Sequence, residues 1–280
     1  MLKILLFSFF AQFLLQAENS PINYFLSPIE EVYNYSGIDG IDRIFLINLK
    51  RQTVKRIQSE KIAERYNFFM NRFEAIEGAK TPLSVQRLLT EPSHRLFSRG
   101  MFGLFLSFLS IVHHAHQKNY ERIWILEDDF EVLSDPRDLL PILNKLDRID
   151  PSWDIFFTDL GKKWPLGSKC VSDSNRHIPR YMQNQAMNLR NCDDWLKDLE
   201  IYSSSYQVDQ EIFRQYLRFG NHSLILSKGG IERIYKFYNE HLFADVTDND
   251  LFFIPGIKIY RPNRDIVSVS IDWVESDTCK

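Results

Sequence analysis

Residues 123–131 read Ile-Trp-Ile-Leu-Glu-Asp-Asp-Phe-Glu, an apolar run that stops at three adjacent carboxylates, Glu127, Asp128 and Asp129. So short and continuous an apolar run marks a strand buried on both faces, which needs helices above and below it and so an α/β architecture. In such sheets ligands bind where strands end, at the carboxyl edge. Adjacent carboxylates repel one another unless a cation joins them, and oxygen donors suit Mg²⁺, Mn²⁺ or Ca²⁺. The triplet has two readings, a metal-diphosphate site and a solvated acidic turn, and its own residues leave both open.

The rest of the chain repeats the alternation. Apolar stretches at 43–49, 68–76, 122–126, 154–160 and 219–227 predict strands, with shorter strands at 251–254, 258–260 and 266–270. Between them, patterns over 51–66, 82–90, 103–118, 136–147 and 229–241 predict helices. Val54, Ile57, Ile62 and Ala63 are the expected apolar face of the 51–66 helix. Asp135 and Ser227 are expected N-caps, and Pro82 and Pro136 expected helix openers. Alternation at this spacing implies a mostly parallel sheet. The polar stretch 161–206, with Lys162 and Lys163, reads as a substrate loop or lid.

With 280 residues, 44% hydrophobic, the chain is long enough for one large core. A net charge of −3 gives no drive towards nucleic acid. Lys3, the apolar run over 4–15 and Ala17 before a polar stretch describe a secretory signal, with cleavage expected near Ala17. Uncleaved, the same run would associate with a membrane, leaving the domain on its cytoplasmic side. Residues 18–41 read as a lead-in and 42–280 as a single domain. Cys170 and Cys192 could close a loop in an oxidising compartment, leaving Cys279 odd, or all three could be free thiols.

The order of several short elements resembles glycosyltransferase family 25, which includes lipopolysaccharide and procollagen glycosyltransferases. The elements are Ile47-Asn48-Leu49-Lys50-Arg51 with Arg56, Ala75-Ile76-Glu77-Gly78, Gly100-Met101-Phe102-Gly103, Leu126 to Asp129, and the stretch from Leu224 to Gly230. Two departures stand out: Glu77 replaces an Asp, and Phe108 stands where the family's Ser-His element has His, after a retained Ser107.

The resemblance implies a GT-A type fold, a Rossmann-like mostly parallel sheet flanked by helices with a smaller acceptor-binding part. It implies a metal-dependent, inverting transfer of a hexose, galactose or glucose, from a UDP-sugar to a hydroxyl of a glycan or protein. Mn²⁺ or Mg²⁺ would be held by Asp129 first and by Glu127 or Asp128 second, and one carboxylate of the triplet, Asp128 if Glu127 is the ligand, would reach the ribose. Asn48, Arg51, Arg56 and Glu77 would face the donor nucleotide. For Arg56 a solvated helix charge is an equal reading. Inversion needs a base for the acceptor hydroxyl, and Asp245 and Asp248 are the candidates, in a segment expected to lead into a strand. His222 reads as an acceptor contact or as a core histidine. His113, His114 and His116 have no neighbouring acid in the sequence to complete a metal site. The alternative is a non-catalytic relative that binds a nucleotide sugar or glycan. A metal-dependent hydrolase would gather histidine beside the acids, and the sequence shows no such cluster.

Overall fold

A computed structural model describes residues 20–91, 98–161, 205–215, 218, 220–244, 247–252 and 254–270, without the side chains of 247–249. The apolar N-terminal run, the three cysteines, Lys162, Lys163 and Asp245 lie outside the described residues.

The described residues build ten strands: β1 (Arg43–Asn48), β2 (Met70–Glu74), β3 (Arg122–Glu127), β4 (Phe130–Val132), β5 (Ile155–Phe157), β6 (Ser205–Asp209), β7 (Ile212–Gln215), β8 (Ser223–Ser227), β9 (Ile259–Pro262) and β10 (Val267–Val269). Their helices are α1 (Thr53–Tyr66), α2 (Leu83–Leu89), α3 (Arg99–Gln117), α4 (Leu139–Ile149), α5 (Lys228–Glu240) and α6 (Thr247–Phe252). Eight strands form one sheet in the order β2-β1-β3-β8-β5-β9-β7-β6, and β4 pairs with β10 in a small antiparallel ribbon. Six of the eight run the same way; β8 and β7 run against them. The α/β expectation is borne out.

Alternation along the central strands explains why both faces are covered. Phe45, Ile47, Ile123, Ile125, Leu224 and Leu226 point into one core, shared with Phe105, Leu109 and Ile111 of α3 and Ile234 of α5. Ile44, Leu46, Trp124, Leu126 and Ile225 point into the other, with Leu139, Ile142 and Leu146 of α4. Each neighbour pair along a strand therefore serves two cores, which is the physical content of an unbroken apolar run. The segment before β1 is part of the same body: Ile22 is buried in the first core, and Asn71 accepts the backbone N–H groups of Val32 and Tyr33 at 2.8 Å each.

The expected caps form. Ser227 Oγ accepts from Gly230 N at 3.1 Å and Asp135 Oδ1 from Arg137 N at 3.0 Å. Three expectations need correction. Residues 251–254 are not a strand; Leu251 and Phe252 close α6, and both are buried in the α3-side core, where a helical turn seats them. It follows that Asp248 lies on a short helix rather than before a strand. The buried face of α1 is Lys55, Ser59 and Ala63, spaced four apart, while Val54 and Ile57 are 67% and 46% exposed. Ile62 and Ala63 pack on the α4-side core as expected, while Lys55 and Ser59 turn inward where the helix covers the acid edge.

Among the described residues, no helix is long and apolar enough to cross a membrane.

Candidate active site at the carboxyl edge of β3

β3 ends at Glu127, and Asp128 and Asp129 form the turn into β4. β4 and β10 hold that turn in place: Ser270 N donates to Asp129 O at 2.8 Å. Because β8 runs antiparallel to β3, the start of β8 lies beside the end of β3. Leu126 faces Ser223, and Glu127 N donates to His222 O at 2.9 Å. His222 Nδ1 lies 3.9 Å from Glu127 Oε2 and 3.8 Å from Asp129 Oδ1. Donor atoms of Glu127, Asp129 and His222 all fall within 4.8 Å of one another, close enough to share one metal ion. Asp129 Oδ1 is buried and accepts no hydrogen bond, an arrangement that a cation would satisfy.

Two features hold His222 in place. Gly220 has φ +87°, and a Cβ there would come within 2.6 Å of His222 Nε2, so the ring folds back over a position only glycine tolerates. Ser223 is pinned beneath it: its Oγ receives Trp124 Nε1 at 2.8 Å and lies 2.5 Å from Thr158 Oγ1. In the sequence His222 has two readings and no histidine stands near the acids; the fold brings His222 to Glu127 and Asp129. The missing signal is the antiparallel insertion of β8, which no local pattern announces.

Asp128 turns the other way. Asn48 Nδ2 donates to its Oδ2 at 2.7 Å, and Lys55 Nζ lies 3.4 Å from its Oδ1. Burial pushes the Asp128 carboxyl above its ordinary value, with the charge of Asp129 adding and Lys55 and Asn48 opposing. Asn48 is itself buried, donating to Gln52 O at 3.0 Å and accepting from Arg72 Nε at 2.9 Å. The structure thus brings Asn48, Glu127, Asp128 and Asp129 together and adds Lys55, Arg72 and His222.

Other expected residues have partners of their own or lie outside the described residues. Arg56 pairs with Glu60 at 3.5 Å along the helix, and Lys55, one residue earlier, is the cation that faces the acids. Arg51 pairs with Glu77 at 3.5 Å, and Glu77 also holds Lys80 at 2.5 Å. Asp245 and the Asp248 side chain are outside the described residues. Asp250, the third acid of that segment, is fully buried and accepts Tyr238 Oη at 2.9 Å, a structural task. His114 contacts Glu31 at 2.6 Å, and His116 stacks on Tyr235 with ring centroids 3.7 Å apart. Both are engaged away from the acids.

The glycines at 78 and 103 have a packing reason. A Cβ on Gly103 would meet Ile76 O at 2.3 Å, and one on Gly78 would meet Arg99 O. Ser107 Oγ completes the contact, accepting from Ile76 N at 2.8 Å and donating to Gly103 O at 2.7 Å. The start of α3 is thereby pressed on the turn that carries Glu77. Phe108 is buried in the apolar core beside Phe105 and Leu109.

The model of glycosyltransferase family 25 (LPS biosynthesis protein) matches residues 41–164, the stretch from β1 through β5. A "Glycosyltransferase 25 family member" of Drosophila melanogaster is 34% identical over 101 residues, covering 32% of this chain and 16% of the relative. "Procollagen galactosyltransferase 2" of Homo sapiens is 25% identical over 145 residues, covering 48% of this chain and 23% of the relative. The chain therefore spans less than a quarter of these relatives' length. Among solved structures, mouse xyloside xylosyltransferase 1 in its apo form aligns with a TM-score of 0.36 at 12% identity, covering 77% of this chain and 81% of that one.

Proposed function

Because residues 41–164 carry the glycosyltransferase family 25 pattern, we propose that the protein transfers a hexosyl group from a UDP-sugar to a hydroxyl of a glycan or protein, with inversion and with a divalent cation. The observation that carries this reading is the convergence of Glu127, Asp129 and His222 around a buried carboxylate oxygen without a hydrogen bond. Two carboxylates and one imidazole fit a divalent ion, and the imidazole favours Mn²⁺ over Mg²⁺. Such an ion supplies positive charge to the diphosphate as it leaves.

The protein's own groups would do the remaining work. Asp128, oriented by Asn48 and Lys55, accepts hydrogen bonds from the ribose. Arg51 and Glu77, on the turns after β1 and β2, flank the nucleotide. Arg56, on the same helix as Lys55, is a weaker candidate for the diphosphate. Asp245 or Asp248 takes the proton of the acceptor hydroxyl as it attacks the anomeric carbon. The galactosyltransferase relatives make galactose the first sugar to test, with glucose second. The burial of Phe108 in the core speaks against the non-catalytic reading, since its ring is not part of the carboxylate edge. The apolar run at 4–15 supports export or attachment to a membrane. Sequencing the mature N-terminus tests it, and an intact Met1 on the secreted protein would sink the cleavage.

The test of function is a panel of nucleotide sugars assayed for transfer and donor hydrolysis, with Mn²⁺ and with chelator. Turnover of one UDP-hexose that needs metal and is lost in Asp129→Ala is the expected result. His222→Ala should weaken Mn²⁺ binding by about 10- to 100-fold or more, since losing even an outer-shell partner of a ligand costs that much. Failure of UDP to bind in the presence of Mn²⁺ would overturn the donor site.

A further inference from the structure

Lys55, one position before Arg56 on α1, has its own role. Lys55 lies on the inward face of α1, its side chain 8% exposed, with Nζ 3.4 Å from Asp128 Oδ1 and 4.0 Å from Asp129 Oδ2. Lys55 and His222 meet different oxygens of the acids. Lys55 meets Asp128 and the Oδ2 of Asp129, whereas His222 approaches the Oδ1 of Asp129 and Glu127. Ser59, one turn on, donates to Lys55 O at 2.9 Å and lies 3.5 Å from Asp128 O, so the helix face is fitted to the acid turn. A buried ammonium is costly unless carboxylates surround it, and a carboxylate cluster is costly unless a cation meets it. Each here relieves the other.

The geometry points to Lys55 as the resident counter-ion of this edge: a positioning residue that holds Asp128 and Asp129 when no metal is bound and limits how tightly a metal binds. This rests on the metal reading of Glu127, Asp129 and His222. Two consequences of opposite sign follow. Without Lys55 the metal-free protein carries unrelieved like charges and loses stability. The same excess of negative charge draws a divalent ion in more strongly. A lysine acting only as a packing or donor-binding residue would not raise metal affinity when removed.

The experiment uses the full chain and Mn²⁺ alone, with no sugar nucleotide. Melting temperature is read with chelator and with Mn²⁺, and Mn²⁺ affinity by titration, for wild type, Lys55→Met, Lys55→Arg, Asp128→Asn and the Lys55→Met/Asp128→Asn pair. In chelator, Lys55→Met should melt roughly 5 °C or more below wild type, with Lys55→Arg near wild type. Asp128→Asn combined with Lys55→Met should recover most of that loss. Mn²⁺ should bind Lys55→Met about tenfold more tightly or more, tenfold being the size of a unit charge acting on a divalent ion a few ångströms away through bulk water, the weakest case. Unchanged or weaker Mn²⁺ binding by Lys55→Met would overturn the proposal. So would a double variant no more stable than Lys55→Met, a comparison that holds even if Lys55→Met alone folds poorly. If wild type itself binds no Mn²⁺, the metal reading falls and takes the affinity half with it. The chelator series then still decides whether Lys55 is the counter-ion.

Discussion

β1 and β3 lie side by side, and each end of the pair carries an acid. Where the strands begin, Glu31 accepts Arg43 Nε at 2.6 Å and Tyr120 Oη at 2.5 Å, and His114 Nε2 lies 2.6 Å away. Where they end, Asp129 keeps a buried oxygen with no hydrogen bond at all. Both carboxylates are largely withdrawn from water, yet both oxygens of Glu31 are hydrogen-bonded, whereas Asp129 has Lys55 4.0 Å from its Oδ2 and keeps its Oδ1 without a hydrogen bond. A saturated acid works for the fold. An open buried one costs the fold on the order of 1–3 kcal/mol, and a protein keeps such a group where a ligand repays it.

The sharpest way to break this contrast is to remove each acid in turn. Asp129→Ala should lower sugar transfer on the order of 10³-fold while leaving the melting temperature unchanged or higher. A large fall in melting temperature would mean that Asp129 serves the fold after all. Glu31→Ala should do the reverse. Stranding Arg43, His114 and Tyr120 should cost about 3 kcal/mol, read by denaturant unfolding, with the donor KM of the folded protein unchanged. A third substitution tests the ground between the two ends. Gly103→Ala forces a Cβ against Ile76 O and should cost about 2 kcal/mol. It should also raise the donor KM, because the displaced turn carries Glu77; a KM equal to wild type would remove Glu77 from the donor site.

The smallest effect is one of pH. Burial pushes the Glu31 carboxyl up, but hydrogen bonds from Tyr120, His114 and Arg43 outweigh it and hold it below its usual value. A depressed carboxyl adds stability that is present above its unfolded pKa, about 4.3, and is lost as pH falls below it. Stability of the wild type should therefore drop between about pH 5 and the acid limit. Glu31→Gln should show a shallower drop, and an unchanged acid limb would place the proton uptake elsewhere.

The comparison also shows what was legible in the chain. The apolar runs at 43–49 and 122–126 gave β1 and β3 because burial on both faces leaves its mark at every position. The open end was legible for the same reason: carboxylates directly after such a run have one place to go, the edge. Ser227 was legible as a cap because the cap is local. The saturated end was not. Glu31, Arg43, His114 and Tyr120 are scattered over ninety positions and share no pattern. Nor was the face of α1 readable, since Val54 and Ile57 made the better apolar stripe, and only the acids beneath the helix explain why Lys55 and Ser59 turn inward. The apolar run at 251–254 looks like a strand in sequence because short apolar runs do not distinguish strand from helix.

Local order along the chain was thus sufficient for the α/β class, the central strands and the acid triplet, because each depends on neighbours in sequence. The choice of Lys55 over Arg56, the arrival of His222 beside Glu127 and Asp129, and the opposite facing of Asp128 belong to the folded sheet. They depend on β8 entering antiparallel next to β3 and on α1 lying over the edge. Those contacts join residues about seventy to a hundred positions apart. Their partners are set by strand order and direction, which pairing and packing across the whole sheet decide and no short stretch of chain encodes.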